Sequence, residues 1–104
     1  QPKKISSTDS MNLTKNTSPF YSAWLGTQEA DFLRAKDAIT ARDFWKLARI
    51  SEHNCLKMHS TIMTAKPPPV YWNPSTVKIL RQVQEIQEKG LHVFFTIDAQ
   101  TSSK

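Results

Sequence analysis

Leu91-His92-Val93-Phe94-Phe95-Thr96-Ile97, an apolar run closing on Asp98, carries the heaviest concentration of β-branched and aromatic side chains in the chain. Gly90 stands before it and a polar Gln100-Thr101-Ser102-Ser103 tail stands behind. That composition between breakers predicts a buried strand, extended from Val93 to Ile97. A carboxylate among apolar neighbours stays ionised only where a cation or hydrogen-bond donors compensate. Asp98 is therefore either an exposed polar terminator of that strand or a positioned reactive group.

Working back from Gly90, the signals are helical. Asn73-Pro74 is a start, with asparagine as N-cap and proline in the first turn, and Gly90 is the matching stop. Val77, Leu80, Val83 and Ile86 form the expected buried face between them. Lys66-Pro67-Pro68-Pro69 ends the preceding helix, and Val70-Tyr71-Trp72 is read as extended. That helix starts at Asp43 as N-cap and presents Phe44, Leu47, Ala48, Ser51, Cys55, Met58 and Ile62 at helical spacing. Earlier still, Thr17-Ser18-Pro19 opens a helix whose Tyr21, Leu25, Phe32, Ala35 and Ile39 share a face flanked by Trp24 and Leu33. Gly26 divides or kinks it. Three principal helices are thus expected, near residues 19–40, 43–63 and 74–89.

Ser6-Ser7-Thr8-Asp9-Ser10 is dense in short oxygen-bearing side chains, and Ser6 with Asp9 has capping-box spacing. This is an ordinary helix cap, or a helix start that offers free N–H groups and hydroxyls to a phosphate, with Lys3, Lys4 and Lys15 adding charge. His53 and His59 are six residues apart and diverge around a helix, so no metal site is expected from them, and His59 is read as a buried, hydrogen-bonded side chain. There is no Gly-rich phosphate loop, no nucleophile elbow and no defensible carboxylate pair.

The whole sequence of 104 residues, 38% hydrophobic, is one small domain's worth of chain. It begins with Gln1 rather than Met, and a fragment of a longer chain is expected. Residues 1–104 are accordingly read as a partial domain of the α+β class: three main helices plus a terminal strand, with a strand remnant at Lys4-Ile5. No apolar stretch is long enough to span a membrane. The net charge of +5 is scattered, with Lys3-Lys4 the only adjacent basic pair, so neither nucleic acid nor membrane is expected as a partner. Cys55 is the only cysteine, which excludes an intramolecular disulfide and suits a reducing, cytoplasmic location.

Five blocks in order carry a resemblance: Lys4-Ile5-Ser6-Ser7-Thr8-Asp9-Ser10-Met11; Ser18-Pro19-Phe20-Tyr21 with Trp24-Leu25; Met58-His59-Ser60-Thr61; Pro68-Pro69-Val70-Tyr71-Trp72; and Phe95-Thr96-Ile97-Asp98-Ala99. Together they resemble the mevalonate diphosphate decarboxylase family of the GHMP kinase superfamily, from about Lys3 to Ala99. The resemblance implies the first part of a C-terminal lobe, in an enzyme whose N-terminal lobe carries the phosphate loop. It further implies ATP and Mg2+ bound by the parent enzyme and neither by this fragment alone. Mevalonate diphosphate would be phosphorylated on its tertiary hydroxyl and then lose phosphate and carbon dioxide to give isopentenyl diphosphate. By the same resemblance Asp98 is the catalytic aspartate, and Ser7, Thr8 and Met11 lie on the substrate-binding segment. Two departures stand out: the family's Gly-Pro-Asn after the Asp-Ala pair is Gln100-Thr101-Ser102 here, and Ser10 stands where glycine is usual. Alternatives are a sister mevalonate or phosphomevalonate kinase or decarboxylase, or a small basic binding module without chemistry. Isolated, the fragment is expected to be inactive and to self-associate or form a homodimer through its open edges.

Overall fold

Five helices account for most of the described residues: α1 (Ser7–Thr17), α2 (Tyr21–Gly26), α3 (Gln28–Thr40), α4 (Phe44–Met63) and α5 (Pro74–Glu88). In this computed structural model residues 7–69 and 72–96 are described, Ser7 by its backbone alone. The expectations for Lys4-Ile5, for Val70-Tyr71, and for Ile97 and Asp98 fall outside the described residues.

Each helix boundary has a local chemical cause. Asn73 Oδ1 accepts the Thr76 N–H at 2.8 Å, with Pro74 following it in the first turn of α5. Gly90 closes that helix at φ +86°, its N–H reaching the Gln87 carbonyl at 2.9 Å. Asp43 caps α4 as expected, its carboxylate accepting the Lys46 N–H at 3.1 Å. Between α3 and α4 the chain turns through Arg42 at φ +55°. The Asp43 N–H bonds back to the Ala38 carbonyl at 2.9 Å and the Arg42 N–H to Ile39 at 3.0 Å. That is a Schellman closure with arginine where glycine is usual, and the left-handed backbone costs about 1–2 kcal/mol there. Gly26 ends α2, and Thr27 turns back onto the Trp24 carbonyl through both its N–H (3.2 Å) and its hydroxyl (3.0 Å) before α3 begins. The expected helix over 19–40 is therefore two helices divided at Gly26.

The α+β reading with its terminal strand is overturned. Helix takes 74% of the described residues and none of them is in a strand. Leu91 to Thr96 form no regular secondary structure. β-branched and aromatic content favours a strand only where a neighbour supplies the ladder, and the described residues supply none. Side chains take that place: the Phe95 N–H donates to Glu52 and the Val93 carbonyl accepts from Gln87. The count of three main helices is also corrected, because the hydroxyl-rich start forms a full helix of its own. In α1, Thr14 and Thr17 turn their hydroxyls back to the Ser10 and Leu13 carbonyls at 2.7 Å each, which satisfies them within the helix.

The described residues divide into two compact units, one made of 7–27 and 56–69, the other of 28–55 and 72–96. The first has α1 packed on α2, and its buried side chains are small or polar: Ser10, Thr14, Ser18, His59, Thr61 and Ala65, with Ile62 the large aliphatic. In the second, Ala38, Ala48 and Cys55 are buried together with the carboxylate-bearing Asp31. The expected apolar face of α2 and α3 is not core: Leu25, Phe32, Leu33 and Ile39 are at least half exposed. What α3 buries is Asp31 and Ala38, because Asp31 finds donors in Asn54 Nδ2 at 2.8 Å and in Arg34. The face expected on α4 does turn inward, with Ala48, Cys55 and Ile62 buried, whereas α5 buries none of its residues.

Candidate functional site

The α1 start brings three of the four expected site residues onto one helix. Ser7 opens α1, Thr8 is exposed in its first turn and Met11 is half-buried one turn on. The spacing of three places Thr8 and Met11 along one side of the helix. Ser10 and Thr14 take the neighbouring stripe and are buried. Asp9 also lies in the first turn. Lys15 does not reinforce this helix start as expected: it sits in the last turn of α1, roughly 10 Å along the axis from Thr8 at 1.5 Å per residue. There its charge complements the C-terminal end of the helix dipole. Asp98 lies outside the described residues.

Hydroxyls hold α1 and the end of α4 together within this unit. Ser18 Oγ and Thr64 Oγ1 share a hydrogen bond of 2.8 Å, and Thr17 Oγ1 accepts the Lys66 N–H at 2.8 Å. Thr61 and Thr64 are satisfied by α4 carbonyls at 2.8–2.9 Å. His59, read from sequence as buried and hydrogen-bonded, is 1% exposed. One buried hydroxyl in this unit, Ser10 Oγ, has no hydrogen-bond partner among the described residues. A buried orphan hydroxyl costs on the order of 1–3 kcal/mol, and alanine is the better helix former. Ser10→Ala is therefore expected to raise stability by about 1 kcal/mol, read as a higher urea midpoint at unchanged slope. Loss of stability on that substitution would show that the hydroxyl has a partner.

The segment that leads to Asp98 is held from two sides in the second unit. Gln87 Nε2 donates to Glu52 Oε2 at 2.7 Å and to the Val93 carbonyl at 2.9 Å, and the Phe95 N–H donates to the same Glu52 oxygen at 3.3 Å. His92 stacks on Phe44 with ring centroids 4.7 Å apart, and Phe94 meets Phe44 edge-on at 5.7 Å. Sequence reasoning missed Glu52 and Gln87, which lie in no motif. The one available signal was the position of Glu52 four residues after buried Ala48, on the inward side of α4.

A cleft of about 410 Å³ in the same unit is lined by Asp31, Arg34, Arg49, Ile50 and His53. Arg34 pairs with the buried Asp31 carboxylate there, so it does not offer a field of one sign. Among the described residues no group of three or more His, Cys, Asp or Glu side chains could hold a metal ion. Both glycines, Gly26 and Gly90, end helices and border open space rather than a phosphate cradle. None of the helices among the described residues is long and apolar enough to cross a membrane.

Residues 1–102 match the family model for the mevalonate 5-diphosphate decarboxylase C-terminal domain. The chain belongs to this family. Among curated relatives, it is 28% identical to the diphosphomevalonate decarboxylase of Candida albicans over 98 residues, 93% of this chain and 27% of that protein. It is 31% identical to the phosphomevalonate decarboxylase of Haloferax volcanii over 68 residues, 64% of this chain and 21% of that one. A solved structure of the mevalonate diphosphate decarboxylase from Enterococcus faecalis, described by its mevalonate diphosphate-mediated ATP binding, superimposes with a TM-score of 0.85 at 40% identity. The match takes in 91% of this chain and 30% of that one. Another, described as MDDEF in complex with MVAPP, AMPPCP and magnesium, gives 0.87 at 39% identity over 95% of this chain and 30% of its own. The decarboxylase-family chain thus spans less than a third of the length of the relatives it matches.

Proposed function

We propose that this chain forms the first part of the C-terminal lobe of an ATP-dependent decarboxylase that converts mevalonate diphosphate to isopentenyl diphosphate. The observation that carries the reading is the family match across residues 1–102. Asp98 hydrogen-bonds or deprotonates the tertiary hydroxyl, and the α1 start, with Ser7, Thr8 and Met11, faces the anionic end of the substrate. The hydroxyl oxygen takes the γ-phosphoryl group of ATP, and departure of that phosphate with carbon dioxide leaves the alkene. Magnesium, when bound, neutralises charge on the transferring phosphates. On the family resemblance, ATP and magnesium are assigned in this reading to the part of the enzyme outside this chain. The reaction belongs to the cytoplasm, and neither nucleic acid nor membrane takes part.

The test is ATP-dependent release of carbon dioxide by the full-length enzyme carrying this domain, with mevalonate diphosphate and its monophosphate compared. A charge-assisted hydrogen bond to the second phosphate is worth about 1.5–3 kcal/mol, so kcat/KM should favour the diphosphate by roughly tenfold or more. The reverse preference favours the phosphomevalonate reading, to which the similarity with the Haloferax volcanii relative lends weight. No ATP-dependent release from either substrate removes the proposal.

This chain by itself is expected to release no carbon dioxide from either substrate and to self-associate. Phe32 is 62% exposed and Ile39 61%, and Leu25, Ile79 and Leu91 are more than half exposed, which is apolar surface a larger protein covers. Sedimentation velocity at several loading concentrations checks this, and a concentration-independent monomer is the contrary result.

A further inference from the structure

We propose that Gln87 and Glu52 are positioning residues for Asp98, clamping the segment that carries it; the inference rests on the catalytic reading of Asp98 above. The clamp is built from one side chain on α5 and one on α4. The two hydrogens of the Gln87 amide are both used, one on Glu52 Oε2 at 2.7 Å and one on the Val93 carbonyl at 2.9 Å. Glu52 Oε2 takes a second donor, the Phe95 N–H at 3.3 Å. A carbonyl at residue 93 and an N–H at residue 95 are what an extended segment turns toward one edge, so the two side chains bond where a neighbouring strand would. On the alternate residues, His92 and Phe94 both rest against the Phe44 ring. Backbone groups of 93 and 95 and side chains of 92 and 94 are thus fixed by different partners, which holds the segment against both sliding and rolling.

Asp98 follows Phe95 by three residues, at most about 11 Å of extended chain. Loosening the clamp frees the backbone three residues before the carboxylate, and misplacing a catalytic group by about 1 Å can lower a rate roughly 10²-fold. Glu52 contributes acceptor strength: bonds to an ionised carboxylate are about twice as strong as neutral ones.

The experiment uses the full-length enzyme carrying this domain. Gln87→Met keeps the length of the side chain and removes both donors. It should lower kcat about 10- to 100-fold with KM for the phosphorylated substrate little changed, because the substrate's anionic groups are bound elsewhere. Glu52→Gln retains an oxygen that can accept both bonds and should lose less than about tenfold, while Glu52→Met should match Gln87→Met. A structural role alone would not produce the decisive readout, which is the double variant. If the clamp acts through Asp98, Gln87→Met adds nothing on top of Asp98→Asn. Amide exchange at Phe95, faster in each clamp variant that folds, is the accompanying measurement. Should Gln87→Met fail to fold, the graded pair Glu52→Gln and Glu52→Met decides by the same criteria. Unchanged kcat in folded clamp variants, or losses that add to that of Asp98→Asn, overturn the proposal. Retention of turnover by Asp98→Asn alone instead removes the reading beneath it, so the two failures are told apart.

Discussion

Asp98→Asn in the full-length enzyme should lower kcat and kcat/KM together by about 10²- to 10⁴-fold, equivalent to roughly 3–5 kcal/mol of transition-state stabilisation. Asparagine keeps the size and polarity of the side chain and removes its charge and basicity. In the proposed reaction the tertiary hydroxyl of mevalonate diphosphate is a poor nucleophile toward phosphorus until its proton is shared with a base, and the benefit of that sharing would be realised as the new bond forms. An interaction made chiefly in the transition state leaves KM nearly untouched when it is lost. Ser7→Ala should behave differently, because a hydroxyl at a helix start acts on the bound anion or on the helix itself. Its loss costs about 0.5–2 kcal/mol in affinity or stability. Steady-state kinetics with calorimetric measurement of substrate binding separate the two patterns. Near wild-type turnover by a folded Asp98→Asn enzyme would leave Asp98 as the polar end of an apolar segment and no more.

What the sequence made legible was the chemistry that acts over one turn of chain. Asn73-Pro74, Gly90 and Asp43 each act through atoms within about four residues, and each boundary stands where those residues put it. The family blocks were equally legible, since five of them in order constrain one another. The apolar run after Gly90 was not, because strand formation is a property of a pair: Val93 and Phe95 have strand chemistry, yet here their backbone groups meet the side chains of Gln87 and Glu52. The α3 face misled for a related reason. Its apolar stripe through Phe32 and Ile39 is exposed, while Asp31 is buried, and one of the donors that let a carboxylate be there, Asn54, lies twenty-three residues on. Glu52 and Gln87 face the same difficulty, being 35 residues apart and neither in a motif.

Ile62→Ala should cost about 2–5 kcal/mol of stability, a large share of the roughly 5–15 kcal/mol that holds a domain together. The magnitude follows from what surrounds the position in its unit. Ile62 is 1% exposed, and it is the bulkiest of the fully buried side chains. The other deeply buried residues there are Ser10, Thr14, His59, Thr61 and Ala65, which are small or polar and contribute little apolar burial to offset its loss. They are also poorly able to collapse into the space vacated. Thr14 is tied to the Ser10 carbonyl at 2.7 Å and Thr61 to the Lys57 carbonyl at 2.8 Å, so filling the cavity would break bonds that satisfy buried hydroxyls. A cavity that cannot relax puts a substitution toward the upper end of its range. Ile62→Val, which removes one methyl group, should cost about 0.5–1.5 kcal/mol. Ile39→Ala provides the contrast within the same chain: Ile39 is 61% exposed, and its loss should cost less than about 1 kcal/mol. Urea denaturation of the three variants at low protein concentration measures all of this, and equal midpoint shifts for Ile62→Ala and Ile39→Ala would mean that Ile62 does not anchor its unit.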